Sequence, residues 1–462
     1  MADNYSLNST RELMDRQIRI WGEENQAKLQ NSKVLILGGD YASEMVLAGL
    51  VGLGIGNILV MDNREQAITK SSFLAPKYKY PIKIRKFPET LNKINPFVNA
   101  KSVKSFFSRS ILNYYNFNPQ IIIDTTNNYS SKMNVLDYLQ KRSGKLFLSC
   151  FADGNKCSVT RFMPSPNNSN VLLDPNGINE DCKQGISPSG VAAGIILEEL
   201  RKGLIHLERD SPLEKKVMYN INSSERTSLL NSTNYSAVAD LSTKRCLVAG
   251  AGGIGTYVAL NLALSGFRNI DILDYDEVSE TNLNRQILFY EKVGQKKAKT
   301  LKERIKQMAS VNSKDFSEEK HKITPDSFNF LRKKNYSLIF GCFDNIRARY
   351  LLNYFAIDLK IPYIDGSTST AVGSVISYYP HQSHCVSCKK NLVLEEEVRH
   401  SCAHADPSVV MPNMIIGSMM VGEAINILSG RDRRCKTMAY DNNHPQRIYQ
   451  KPSPPRRPDC RC

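Results

Sequence analysis

The sequence predicts an α/β protein of two tandem units, each a doubly wound, mostly parallel sheet, with the first unit degenerate. Three observations carry this. Apolar strand-like runs alternate with helical stretches, the pattern of parallel strands joined by crossover helices. Three segments recur at a near-constant spacing: 31–63 parallels 243–277, 120–128 parallels 337–345, and 191–200 parallels 417–428. A period of about 210–225 residues marks a duplicated domain, not a solenoid, whose repeats run to about 20–50 residues. Finally, both copies open with an apolar run ending in a glycine-rich turn, Gly38-Gly39-Asp40 in one and Gly250-Ala251-Gly252-Gly253 in the other.

The 462 residues leave room for two or three domains with cores of their own. Residues 1–206 are expected to form the first unit and 236–462 the second. The segment 207–235 is rich in Ser, Asn, Glu and Arg with few large apolar side chains, and reads as a linker.

In the second copy, Cys246 to Arg285 reads CLVAGAGGIGTYVALNLALSGFRNIDILDYDEVSETNLNR. Strand, glycine turn and helix make a phosphate cradle. Gly250, Gly252, Gly253 and Gly255 let the backbone approach, and the helix N-terminus favours anions. The next strand ends in Asp274 and Asp276, and Asp274, about 20 residues further on, is placed to hold a ribose. Thus far the motif is an ordinary dinucleotide fingerprint. Asn282, Arg285 and then Lys297 in VGQKKA add an amide and two cations. A nicotinamide site has no need of two cations there. A nucleoside triphosphate undergoing cleavage does, because charge grows on the departing pyrophosphate. Asp344 ends the apolar run LIFGCFD. Beside a triphosphate it is a natural magnesium ligand. It also fits as the N-cap of the next helix.

The first copy lacks this chemistry. Asp40 and Ser43 stand where the second copy has Gly252 and Gly255. An aspartate in a phosphate cradle repels the ligand. No Asn-x-x-Arg or Gly-Gln-x-Lys follows Asp62, and Asn127 takes the position of Asp344. The first copy is expected not to bind ATP.

The ordered run GAGGIG, DYDEVSETNLNRQ, VGQKKA and GCFDN resembles the adenylating domain of ubiquitin-activating enzymes and their bacterial sulfur-carrier relatives, the ThiF/MoeB type. The resemblance implies two Rossmann-like adenylation domains, pseudo-dimeric within one chain. It also implies ATP-dependent adenylation of the C-terminal carboxylate of a small β-grasp protein. The opening DRQIRIWG, Asp15 to Gly22, is similar to the inactive half of eukaryotic activating enzymes. There the matching arginine reaches into the other unit's ATP site, which implies Arg16 here, with Arg19 as the alternative. A planar guanidinium suits a phosphate clamp.

Two sets of cysteines bear on chemistry. Cys385-Val-Ser-Cys388 can chelate tetrahedral zinc. The family places its second pair near the C-terminus, which here is Cys460-Arg-Cys462, one residue shorter than the usual spacer. His381 or His384 is the alternative fourth ligand. Cys402 lies between the first pair and an apolar helix. Its segment resembles the crossover loop of short activating enzymes, such as that of the ubiquitin-fold modifier, where a cysteine attacks the acyl adenylate. His400, His404 or the helix N-terminus would stabilise its thiolate. The alternative is a cysteine that is not a nucleophile, as sulfur-carrier adenylyltransferases tolerate. Cys246 and Cys342, on apolar strands, are expected to be inert, and Cys435 to belong to the core.

Composition sets the remaining bounds. The net charge is +16, and eight basic residues in 77–104 face one acid, Glu89. A second basic stretch, 431–462, carries nine against Asp432, Asp441 and Asp459. Such a balance reads as a solvated basic face or as a site for an acidic partner. No nucleic-acid motif accompanies it. No run of 18 apolar residues occurs and the N-terminus lacks an apolar signal core, so a cytoplasmic protein with no membrane partner is expected. Eleven cysteines in a chain of this length do not make a disulfide framework.

The expected partners are a ubiquitin-like modifier and, for a thioester enzyme, a conjugating enzyme. The rival readings are a sulfur-carrier adenylyltransferase with no thioester step and a non-catalytic regulatory subunit.

Overall fold

The computed structural model describes residues 10–63, 72–77, 82–140, 142, 144–164, 184–214, 216–223, 226–227, 240–318, 322–324, 328–390, 407–430, 437–452, 457–458, 460 and 462. The chain opens with helix α1 (Thr10–Gln30), interrupted at Gly22, whose φ of 80° leaves the helical region. The first unit continues through β1 (Lys33–Leu37), α2 (Tyr41–Leu53), β2 (Asn57–Met61), α3 (Ile82–Ile94) and β3 (Asn99–Val103). Helix α4 (Arg109–Tyr114), β4 (Ile121–Asp124), α5 (Tyr129–Gln140), β5 (Leu146–Ala152), β6 (Lys156–Phe162), α6 (Ile186–Leu204) and β7 (Val217–Asn220) complete it. The sheet order is β3-β2-β1-β4-β5-β6-β7, with the first five strands parallel and the last two antiparallel.

The second unit repeats the plan. Its elements are β8 (Arg245–Ala249), α7 (Gly253–Leu264), β9 (Asn269–Leu273), α8 (Lys297–Met308), β10 (Asp315–Phe316), α9 (Phe328–Arg332) and β11 (Leu338–Gly341). They continue with α10 (Ile346–Asp358), β12 (Tyr363–Thr368), β13 (Val372–Tyr378), α11 (Val386–Lys390), α12 (Val410–Leu428), β14 (Thr437–Asp441) and β15 (Ile448–Lys451). The order β10-β9-β8-β11-β12-β13-β14-β15 matches the first sheet strand for strand and adds one edge strand. The near-continuous apolar strands, such as KVLIL in β1 and RCLVA in β8, are those of sheets covered on both faces.

Helices α2, α6, α7 and α12 form the layer between the two sheets. Every residue of α2 is buried. One hydrophobic cluster runs through both units, from Leu50 and Leu197 to Val258 and Ile415. The α6–α12 crossing is close because small residues stand there: a Cβ on Gly190 or Gly194 would overlap Ser418 or Ile415. Buried ion pairs cross the seam, Arg226 Nε to Glu423 Oε1 at 2.6 Å and Arg447 Nη2 to Glu199 Oε1 at 2.8 Å. Such pairs fix register more than they add stability, because each charge has been taken out of water.

One expectation is corrected. The segment 207–235 is not wholly a linker. Within it β7 pairs antiparallel with β6, Leu213 is buried, and Arg226 joins the seam. The short apolar run VMYN was masked by its polar neighbours. Helix α12 is also long and apolar enough by length and composition to cross a membrane, although 94% of its window is buried between the units. It is the central core helix.

Candidate functional site

In the second unit the strand order turns back between β8 and β11. Ligands of open α/β sheets bind beyond the carboxyl ends of the strands at such a switch point. The candidate residues of the second copy gather there. Gly250 has φ +104°, a left-handed conformation that side chains rarely adopt, and its Cβ would press on the Cys342 carbonyl at 2.8 Å. A Cβ on Gly255 would overlap the Gly250 carbonyl oxygen. A Cβ on Gly252 would meet nothing within 4 Å. The cradle is therefore open above Gly252, where α7 begins without a side-chain cap. An anion can take that capping role.

The two acids at the end of β9 differ in burial and partners. Asp274 is buried, and its two oxygens accept the Ala251 N–H at 2.6 Å and the Asp276 N–H at 2.9 Å. Burial raises its pKa, with the Lys297 charge acting against the rise. Asp274 thus holds the glycine turn in shape, and each of its oxygens accepts only one of these N–H groups. Asp276 is the exposed carboxylate of the pair. It meets Lys297 Nζ at 3.0 Å, and Lys297 is nearly buried. Lys296 points away, exposed, to Glu277 at 3.1 Å.

Asn282 closes a capping box by accepting the Ser279 N–H at 3.2 Å, which leaves its amide nitrogen as the donor end. The Arg285 Nη1 donates to the Thr281 carbonyl at 2.8 Å and to Asn284 Oδ1 at 3.0 Å. Burial pulls the Arg285 pKa down to about 9. The charge of Arg16 acts in the same direction and that of Asp344 opposes it. Helix α1 of the first unit packs on the turn Glu280–Asn282 of the second. Arg19 is instead exposed and pairs with Asp15 at 2.8 Å on its own helix. Two cations with a partly desolvated neighbour favour an anion between them.

Asp344 is exposed just past β11. The N-cap of α10 is Asn345, whose side chain accepts the Ala348 N–H at 2.9 Å. The competing structural role of Asp344 therefore belongs to its neighbour. Cys246 and Cys342 are buried, and burial pushes both thiols well above the usual range, as expected of inert cysteines.

The equivalent position in the first unit is filled by the protein itself. Gln184 Oε1 accepts the Ala42 N–H at 3.1 Å at the start of α2, and its Nε2 donates to the Thr125 carbonyl at 2.9 Å. Ser43 Oγ lies 2.5 Å from Thr125 Oγ1, and Glu44 accepts the Phe73 and Leu74 N–H groups at 2.8 and 3.0 Å. Asp40 is buried in the same plug. Asn127, opposite Asp344 in the repeat, is buried and bonded to Ala152 in both directions. A side-chain amide thus occupies the helix N-terminus that a phosphate would need.

The Sγ atoms of Cys385, Cys388, Cys460 and Cys462 lie within 4.8 Å of one another. Cys385 Sγ is 3.8 Å from Cys388 Sγ and 3.4 Å from Cys460 Sγ. A tetrahedral zinc with bonds of about 2.3 Å needs sulfur–sulfur edges of about 3.8 Å. The set fits zinc, and the short Cys460-Arg-Cys462 spacer is no obstacle. Backbone support is present: the Arg457 N–H points at Cys388 Sγ at 3.5 Å, and Asn353 Oδ1 accepts the Val386 N–H at 2.9 Å. One zinc per chain is expected by elemental analysis, and none in Cys385→Ser, with a lowered melting temperature. Full zinc content in that variant would remove Cys385 from the ligand set. Cys402, His400, His404 and Cys435 lie outside the described residues.

Three contributors escaped sequence reading. Gln184, which plugs the first cradle, is 142 residues from the helix that it caps. Asn413, whose Oδ1 a Cβ on Gly253 would approach to 2.5 Å, comes from α12. Asn284 sits inside the quoted NLNR motif, and its position beside Arg285 was the signal available.

Two stretches of the chain, 14–234 and 225–462, each match the ThiF family. The chain belongs to the ThiF family. It is 30% identical over 202 residues to SUMO-activating enzyme subunit 2 of Dictyostelium discoideum, covering 43% of this chain and 30% of that protein. It is 31% identical over 206 residues to the adenylyltransferase and sulfurtransferase MOCS3 of Caenorhabditis briggsae, covering 44% and 50%. Against the NEDD8-activating enzyme E1 catalytic subunit of Caenorhabditis elegans the identity is 35% over 166 residues, covering 33% and 38%. The chain thus matches half or less of the length of each of these relatives. Among solved structures, MccB of E. coli overlaps 48% of the chain and 67% of its own, at 18% identity and a TM-score of 0.41. The repeated match and the paired sheets make this an E1-like, ThiF-type protein with tandem Rossmann-like domains.

Proposed function

We propose that this protein activates a ubiquitin-like modifier by adenylating its C-terminal carboxylate and then forms a thioester on Cys402. The observation that carries the reading is the asymmetry of the two switch points. One is plugged by Gln184, while the other is open above Gly252 and has α1 of the plugged unit packed on its Glu280–Asn282 turn.

In this reading ATP lies with its phosphates over Gly252 and the start of α7, and Asp274, with Asp276 beside it, holds the ribose. A carboxylate oxygen of the modifier attacks the α-phosphorus. The bond to the bridging oxygen breaks, and pyrophosphate leaves with the electron pair. Arg285, Lys297 and Arg16 stabilise the charge that grows on it. Asp344 would hold magnesium, which supplies Lewis-acid neutralisation of the phosphate oxygens. Asn282 donates to a phosphate from its amide nitrogen. The Cys402 thiolate then attacks the acyl carbon, AMP departs, and the thioester is handed to a conjugating enzyme. Zinc on the four cysteines would tie the C-terminal tail to α11.

The test is incubation with ATP, magnesium and a panel of modifiers, read by pyrophosphate exchange and by non-reducing gel or mass analysis. Wild type is expected to exchange pyrophosphate and form a thiol-sensitive adduct. Cys402→Ala is expected to keep exchange and lose the adduct, because adenylation precedes the thiolate's entry. An adenylate that never becomes an adduct would install the sulfur-carrier reading, which the similarity to MOCS3 favours. No exchange with any modifier would leave the regulatory subunit.

A further inference from the structure

Asn284 is fully buried at the seam between the units, and its amide meets three different elements. Its Oδ1 accepts from Arg285 Nη1 at 3.0 Å. Its Nδ2 donates to Gln17 Oε1 at 3.3 Å and to the Ser408 carbonyl at 3.2 Å. Gln17 follows Arg16 on α1 of the first unit. Ser408 precedes α12 and stands six residues after Cys402 in the sequence.

Gln17 is held in turn. Its Nε2 donates to Gln26 Oε1 and to the Leu53 carbonyl, both at 2.9 Å. Gln26 Oε1 also accepts from Trp21 Nε1 at 3.0 Å. Because its nitrogen is committed to these acceptors, Gln17 presents only its oxygen to Asn284 and cannot flip without losing them.

From this geometry we infer that Asn284 is the positioning residue that sets the Arg285 guanidinium for the phosphates and ties it to the first unit's arginine-bearing helix. The inference rests on the adenylation reading. An amide is required at this position. A carboxylate would set negative charge against two carbonyl-type oxygens, those of Gln17 and Ser408, and would bind the Arg285 cation as an ion pair, competing with phosphate. Alanine would leave Arg285 with one of its two seam contacts and Gln17 Oε1 with no donor.

The single tryptophan, Trp21, sits at the far end of this string and serves as the reporter. The experiment compares wild type, Asn284→Ala and Asn284→Asp. It measures magnesium-ATP affinity by calorimetry, Trp21 emission with and without magnesium-ATP, and melting temperature. Wild type is expected to bind ATP with a change in Trp21 emission. Both variants are expected to bind about 10- to 100-fold more weakly, the worth of one hydrogen bond to a charged group. At saturating ATP they should lose most of the emission change.

Asn284→Gln, which keeps the amide, is expected to recover part of both and serves as the measure if alanine lowers the melting temperature. Wild-type affinity and emission response in Asn284→Ala and Asn284→Asp would overturn the inference and leave the adenylation reading standing. Weaker binding with an undiminished emission change would overturn the tie to the first unit. Failure of wild type itself to bind ATP would overturn both.

Discussion

Arg16→Ala is expected to depress modifier-dependent pyrophosphate exchange by about 10³-fold, the scale of an arginine supplied across an interface in phosphoryl chemistry. Arg16 stands more than 230 residues from Gly250, yet its charge is felt by Arg285. Two features separate this from a folding defect. Arg16 is only partly buried, whereas the neighbouring Gln17 and Met14 carry the packing of α1. The melting temperature should therefore move little. Arg16→Lys keeps the charge and loses the planar fork, so it should recover only part of the rate. Wild-type exchange in Arg16→Ala would show that the residue merely decorates α1, and Arg19 would then be the residue to test.

The second large effect is predicted for Asp344→Ala. A Lewis acid on the phosphates is worth several kcal/mol, so losing its ligand should cost about 10³-fold at 1.36 kcal/mol per decade. The exposed position matters to the argument. Asn345 carries the cap of α10, so removing the Asp344 carboxylate leaves the helix start intact. Circular dichroism and melting should match wild type while exchange is lost. If raising magnesium concentration restores full exchange, Asp344 is a weak ligand; if exchange is unchanged at low magnesium, the metal is held elsewhere.

Much of this was readable in advance because the signals were local. Gly250 and Gly255 are glycines for local backbone reasons, a left-handed φ at the first and the Gly250 carbonyl against the second. Strands β1, β2 and β4 and their counterparts β8, β9 and β11 follow from apolar runs whose spacing repeats. The four clustered cysteines come as two tight pairs. What stayed hidden depended on distance. Gln184 plugs the first cradle from another part of the chain, and a lone glutamine has no pattern. That Asp274 also braces the glycine turn was hidden too, because the sequence shows two acids without saying which faces inward. Strand β7 is four residues in a polar stretch, too short to stand out by periodicity. Helix α12 is largely apolar because both units of the chain pack around it, while Asn413 and Glu423 find polar partners on other elements.

The coexistence of Asp40 and Gly252 at matching helix starts has an evolutionary meaning. In a homodimer with two-fold symmetry every substitution is made twice, so a change that ruins one catalytic centre ruins both. Joining two copies in one chain breaks that constraint. One copy is then free to change at its own switch point, as the Gln184 plug shows, and to be kept for what it presents across the seam. On the adenylation reading the tandem chain would carry one centre where a symmetric dimer carries two, with two halves that can be tuned separately.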